Sequence, residues 1–160
     1  MLIDAVVQWL HVMSAIIWVG GTIFASLVLQ PILAKNLPPQ QRMPLYHLMG
    51  NRFKMIQMGC LLTLIATGSF KLWPFRHHPE AFETFYGHVL GVKLVLVVLV
   101  SLLTYLHSYV WGPRLTALAR NPGSPEFSSV LKKLYLWGRI NLALIVAIVF
   151  CAALLRFGPF

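Results

Sequence analysis

The sequence predicts an all-α integral membrane protein, a four-helix bundle with both termini on the outer side (N-out, C-out). Three observations carry this. Hydrophobic residues make up 58% of the chain and charged residues 11%, with a mean hydropathy of +0.74, well beyond ordinary globular usage. The apolar residues gather into four runs, at about 5–29, 54–73, 86–111 and 134–155, each near the ~20 residues that a helix needs to cross a ~30 Å hydrocarbon core. Charge is also sorted by end. Lys35, Arg42, Arg52, Lys54, Arg114, Arg120, Lys132 and Lys133 fall at one end of such a bundle, whereas Lys71, Arg76 and Arg156 share the other with Asp4, Glu80 and Glu83. Basic loops are retained in the cytoplasm, which sets the orientation in a bacterial-type inner (plasma) membrane.

Each run reads as helix because lipid offers no water to satisfy a backbone left unpaired. The first begins with Asp4 in place of a basic start, exceeds a signal h-region in length and lacks a small-residue cleavage site, so it reads as a retained span. The second is the shortest, with Lys54 and Lys71 placed to snorkel toward opposite surfaces. Between them "PILAKNLPPQQRMP" breaks the chain after the first helix with four prolines. In "HHPEAF", Pro79 and the acidic residues after it start the third helix before it enters the membrane. In "NPGSPEF", Ser124 is the N-cap and Pro125 the first helical residue, so the fourth helix starts on the cytoplasmic surface. No segment is long enough for a separate soluble domain, and residues 1–160 form one unit.

The formal net charge of +9 is a topology signal and an attraction for anionic lipid heads, and excludes nothing but a nucleic-acid role. Cys60 and Cys151 lie within apolar runs, so they supply neither a disulfide framework nor a CxxC clip. One internal echo stands out: His11 precedes Pro31 by the same spacing as Lys93 precedes Pro113. Two helical hairpins related by duplication would produce it.

Helical spacing collects the polar residues into stripes. The first helix carries Gln8, His11, Ser14, Trp18 and Thr22 on one face, with Gly20 and Gly21 allowing close helix approach. The second carries Cys60, Thr63, Thr67 and Lys71. The third carries Lys93, Val100, Thr104, His107 and Trp111, with Ser101 at the margin. The fourth is an apolar wall after Asn141. His11 and Lys93 both lie roughly 10 Å below the outer surface at 1.5 Å per residue, and Thr67 comes to that level from the other direction. His88 is shallower and reaches this set only from the rim. Arg139 snorkels to the cytoplasmic surface, and His77 and His78 read as solvated loop residues.

An ionisable side chain within the membrane marks a functional site by default. The spans hold no Asp or Glu, which disfavours a proton-coupled carrier and a carboxylate metal site. Zinc needs four N/S ligands that the outer set cannot provide. Haem b needs only one or two axial ligands, because its macrocycle supplies four, and its propionates could meet Lys71, Arg76 or Arg156.

"HVMSAIIWVGG" resembles the first helix of CopD-type copper-resistance membrane proteins, and "RFKMIQMGCLLTLIATG" and "KLVLVVLVSLLTYLHSYVWGPRL" resemble their next two. The pattern of His11, Trp18, Gly21, Arg52 and Lys93 is also similar to that of HemJ, a four-helix haem-containing protoporphyrinogen oxidase. HemJ-like chains carry an Asn-Glu-x-Pro element in the last helix. Here "GRINLALIVAI" keeps Arg139 and Asn141 without the glutamate or the proline. The resemblance implies a membrane protein handling haem or copper.

The leading expectation is therefore haem b held by His11, with Lys93 as second ligand, porphyrin anchor or catalytic group. His88, Trp18, Thr67 and Arg52 are further cofactor contacts, and His11 and His88 the metal ligands. A redox partner or porphyrin substrate, and self-association, go with that reading. Two others stay open. One is a copper permease receiving the ion at His11, Met13 and His88 and releasing it at His47, Met49 and Met55; the other is a cofactor-free subunit of a membrane complex.

Overall fold

A computed structural model describes residues 1–77, 79–119, 121 and 123–157. His78 and Arg120 lie outside the described residues. Four long helices account for most of the chain: α1 (Leu2–Asn36), α2 (Pro39–Leu72), α3 (Phe85–Leu118) and α4 (Pro125–Phe157). All four are long and apolar enough to span a membrane, and no strand occurs among the described residues. The molecule is thus the all-α four-helix membrane bundle that its hydropathy predicts. Ile16, Leu62, Val95, Val98, Val146 and Phe150 are among many large apolar side chains left on its outer surface, as expected where the solvent is lipid.

Helices α1 and α2 pack as one antiparallel hairpin, α3 and α4 as another. A compact layer joins the two. Trp18, Cys60 and Leu61 meet Val100 and Ile145, the last two 0% and 2% exposed. In lipid the hydrophobic effect does not drive such an interior together; close van der Waals packing is a main contributor. Gly21 serves that contact, because a β-carbon there would stand 2.5 Å from the Phe53 ring of α2.

The chain connections divide the bundle into a basic end, where α1 meets α2 and α3 meets α4, and a terminal end, which holds both termini and the α2–α3 connection. The basic end is built from helix extended past the apolar runs. α2 starts at Pro39, well before the hydrophobic run at about 54, so Arg42 and Arg52 are helical. In α4 the Ser124 hydroxyl accepts the Phe127 N–H at 3.1 Å and Pro125 opens the helix, as the sequence predicts. Phe127, Val130 and Leu134 form the buried face of this extension. Trp111 stacks on Trp137 at 5.7 Å, and Lys54 Nζ sits 4.8 Å from the centre of the Tyr109 ring.

Two expectations about helix ends are corrected. The first helix does not break at Pro31 but runs through it to Asn36, and the chain turns at Leu37 and Pro38, both extended. A π-helical turn at Ala25–Leu29 makes this feasible: the Gln30 N–H bonds back to Ala25 O, widening the helix just before a residue that has no N–H and whose ring crowds the preceding turn. The Tyr46 hydroxyl then donates to Gln30 O at 3.2 Å and Arg42 Nη1 to Ala34 O at 3.1 Å, closing the elbow. The third helix begins later than Pro79. Residues Pro79–Glu83 form a 3-10 turn, and Thr84 caps α3 by accepting the Gly87 N–H at 3.2 Å. Gly87 is required here, since a β-carbon would run into the backbone of Ala81 and Phe82.

α3 repeats the π-turn of α1. It spans Leu106–Trp111, the Gly112 N–H bonds to His107 O, and Pro113 follows. The echo of His11…Pro31 in Lys93…Pro113 therefore extends to backbone geometry: Gln30 and Gly112, each just before its proline, bond five residues back.

Candidate functional site

Two of the sequence-predicted groups, His11 and Thr67, meet in the terminal half of the bundle, and Lys93 lies within electrostatic range of His11. His11 is half-buried on α1, and its Nδ1 lies 2.7 Å from Thr67 Oγ1 of α2. The Thr67 hydroxyl lies only 2.6 Å from Thr63 O and 3.3 Å from Leu64 O in its own helix. Two oxygens at 2.6 Å need a proton between them, and a hydroxyl has one. Thr67 therefore donates to Thr63 O and accepts from His11, so His11 carries its proton on Nδ1. Its Nε2 keeps a free lone pair. The ring passes over Gly68, where a β-carbon would stand 3.8 Å from His11 Cε1.

One turn toward the terminal end, the Lys71 ammonium donates to Gln8 Oε1. These two rungs, His11–Thr67 and Gln8–Lys71, hold α1 against α2 by polar contact. Asp4, Val7, Gln8, Phe70 and Lys71 line an open hollow beside them. Lys93 on α3 is half-buried and makes no hydrogen bond or ion pair among the described residues. Both Lys93 and Lys71 are near enough to act on His11 through their charge, and the Cys151 thiol of α4 is near enough to act on Lys93. Cys151 was not singled out by spacing, because the last helix reads as wall. The α3–α4 hairpin brings it to this level.

Other predicted contacts fall elsewhere. Trp18 lies two turns toward the basic end, 5% exposed in the core layer. His88 is exposed in the first turn of α3, where its Nδ1–H donates to Thr84 O at 2.7 Å; no hydrogen bond joins it to His11. Arg52 is exposed on the basic-end extension of α2, on the order of 20 Å along the helix from Thr67 at 1.5 Å per residue. Met13 and Met55 face outward at 37% and 69% exposure, and His47 is bonded to Asn51 at 3.0 Å. Among the described residues no group of three or more His, Cys, Asp or Glu side chains could hold a metal ion.

Four apolar helices around a buried polar seam define a multi-pass membrane protein with an intramembrane imidazole–hydroxyl pair. A family profile described as a domain of unknown function, DUF4149, matches residues 13–124, and the chain belongs to that family. The match runs from α1 through α3, starting just after His11. No curated protein and no solved structure matches the chain.

Proposed function

We propose that this chain is a plasma-membrane protein that binds haem b in the terminal half of its bundle, with His11 as axial ligand and both termini outside. The observation that carries the reading is the tautomer of His11: Nδ1–H is committed to Thr67, and the free Nε2 lone pair is the donor that iron takes. An acceptor bonded to the other ring nitrogen fixes the orientation of a metal-binding histidine and raises its basicity. The scarcity of other donors fits this group as well, because a porphyrin brings four ligands of its own and asks one or two of the protein.

Lys93 supports the same ligand. An ammonium within the membrane and without a protein partner is costly unless an anion joins it. Haem combines a Lewis-acid centre for an imidazole with carboxylates for an ammonium group, so one molecule would satisfy both His11 and Lys93. When bound, the group supplies one-electron chemistry. The protein's own residues would orient it: Thr67 would hold the imidazole, Lys93 would hold a carboxylate, and the apolar α4 wall would exclude water. The likeness of the first three helices to CopD-type and HemJ-type sequences agrees with a role in redox or porphyrin metabolism.

The test is an absorption spectrum of protein purified from haem-replete cells. A Soret band is expected, lost or shifted in His11→Ala and retained in His77→Ala. A colourless protein carrying stoichiometric copper would overturn the haem reading in favour of the permease.

A further inference from the structure

One turn toward the basic end from the core layer, every helix places a polar residue. Thr22 follows Trp18 by four, Thr104 follows Val100 by four, Gln57 precedes Leu61 by four and Asn141 precedes Ile145 by four. The helices alternate in direction and the four reference residues share one cluster, so this register sets all four polar residues at one depth. Thr22, Gln57 and Thr104 are 8%, 7% and 2% exposed. This depth is near the middle of the spans, where an unpaired polar group is most costly.

Three buried atoms in this layer and the core layer next to it have no protein partner: Trp18 Nε1, Thr104 Oγ1 and Asn141 Oδ1. Their chemistry is complementary. The indole N–H donates, the amide oxygen accepts and the hydroxyl does both. They do not bond one another, so small molecules with both donor and acceptor capacity are what satisfies them. Such molecules must be uncharged, since no ionisable group shares the layer. Water meets each condition, and buried water characteristically makes two to four such bonds.

Polar positions lead from this layer toward the basic end. Half-buried Ser26 and His107 continue it on α1 and α3, at the two π-turns where helix geometry is widened. Toward the terminal end, Leu61, Val100 and Ile145 close it off. We infer that the basic half of the bundle is a hydrated compartment whose waters reach Trp18, Thr104 and Asn141 at mid-membrane, separated from the His11 site by the single layer of Trp18, Leu61, Val100 and Ile145.

Cysteine accessibility tests this on the full chain, in a Cys60→Ala, Cys151→Ala background reconstituted in vesicles. The probe is a small water-soluble methanethiosulfonate applied to one side at a time. Thr104→Cys and Asn141→Cys are expected to react from the side carrying Lys132 and Lys133 at least 10-fold faster than Val100→Cys. Equal, slow reaction at all three positions, or faster reaction from the opposite side, would overturn the inference. Should the substituted chains fail to fold, hydroxyl-radical labelling of the wild-type protein decides: Trp18 is oxidised despite its burial, and at least 5-fold less so in Thr104→Val. An unoxidised Trp18, or oxidation that Thr104→Val leaves unchanged, would overturn it equally.

Discussion

The assignment of the His11 proton to Nδ1 rests on one hydroxyl, and removing that hydroxyl is the sharpest test of the site. In Thr67→Val the shape of the side chain is kept while the acceptor 2.7 Å from His11 is lost. The bond from Thr67 to Thr63 O disappears too, but that carbonyl retains its ordinary helical donor, so little is lost there. The imidazole N–H, by contrast, faces a bundle interior with no replacement. Leaving a buried donor unsatisfied costs about 1–3 kcal/mol, although inter-helix hydrogen bonds in membranes measure lower, averaging ~0.6 kcal/mol with a maximum of ~1.7. A double-mutant cycle of Thr67→Val with His11→Phe isolates the pair. The expected coupling is about 0.6–1.7 kcal/mol, roughly a 3- to 18-fold change in the unfolding constant, read by reversible unfolding in mixed detergent. Thr67→Ser keeps both bonds and loses one buried methyl, so it should cost no more than about 1 kcal/mol and retain the coupling to His11. Haem retention should fall about 10- to 100-fold in Thr67→Val, the usual effect of losing the group that orients a ligating histidine. Zero coupling, or a Thr67→Ser variant as damaged as Thr67→Val, would refute the tautomer and with it the free Nε2.

If Lys93 holds a carboxylate of the cofactor, Lys93→Met and Lys93→Arg should both impair haem retention, because a planar fork replaces a compact ammonium poorly. Lys71→Met, whose amine is already bonded to Gln8, should do much less; wild-type spectra for both Lys93 variants would remove that residue from the site. Reporter fusions after Glu83 and Ser124 should locate outside and inside respectively, and the reverse result would place His11 in the cytoplasmic half. Gly87→Ala should destabilise the protein by several kcal/mol or prevent its insertion, since the added methyl meets backbone rather than movable side chain. A Gly87→Ala protein with unchanged unfolding would show that the 3-10 turn before α3 yields easily.

What the sequence made legible was set by period and by length. Four apolar runs could only be spans, and the i, i+3, i+4, i+7 stripe in the first helix correctly picked Ser14, Trp18 and Thr22 as its buried side. The pairing of His11 with Thr67 followed from depth alone, because antiparallel neighbours of known length bring fixed residues to one level. Helix ends were less legible. Proline reads as a breaker in a propensity table, yet Pro31 and Pro113 both sit inside continuous helix, because a π-turn upstream accommodates the ring at little cost. Gln57 lies three residues before Cys60 on the same face, but so close to the start of the apolar run near Lys54 that the sequence alone does not mark it as buried. Its depth became apparent only once α2 proved to start at Pro39. His88 was placed by proximity to the outer rim, but a histidine in a first helical turn has its own chain as a ready acceptor, and that local bond won.

The matched π-turns have a genetic and mechanical corollary. A π-turn is an α-helix with one residue too many, so everything between Leu29 and Asn36, and between Trp111 and Leu118, is turned by about 100° relative to an uninterrupted helix of 3.6 residues per turn. Deleting a single residue from Ala25–Leu29 would regularise α1 and swing the whole elbow, with the Gln30 carbonyl that Tyr46 grips, round toward lipid. Adding one residue there could not be absorbed a second time. These short stretches are therefore length-critical in a way that the apolar residues around them, free to exchange Leu for Ile or Val, are not.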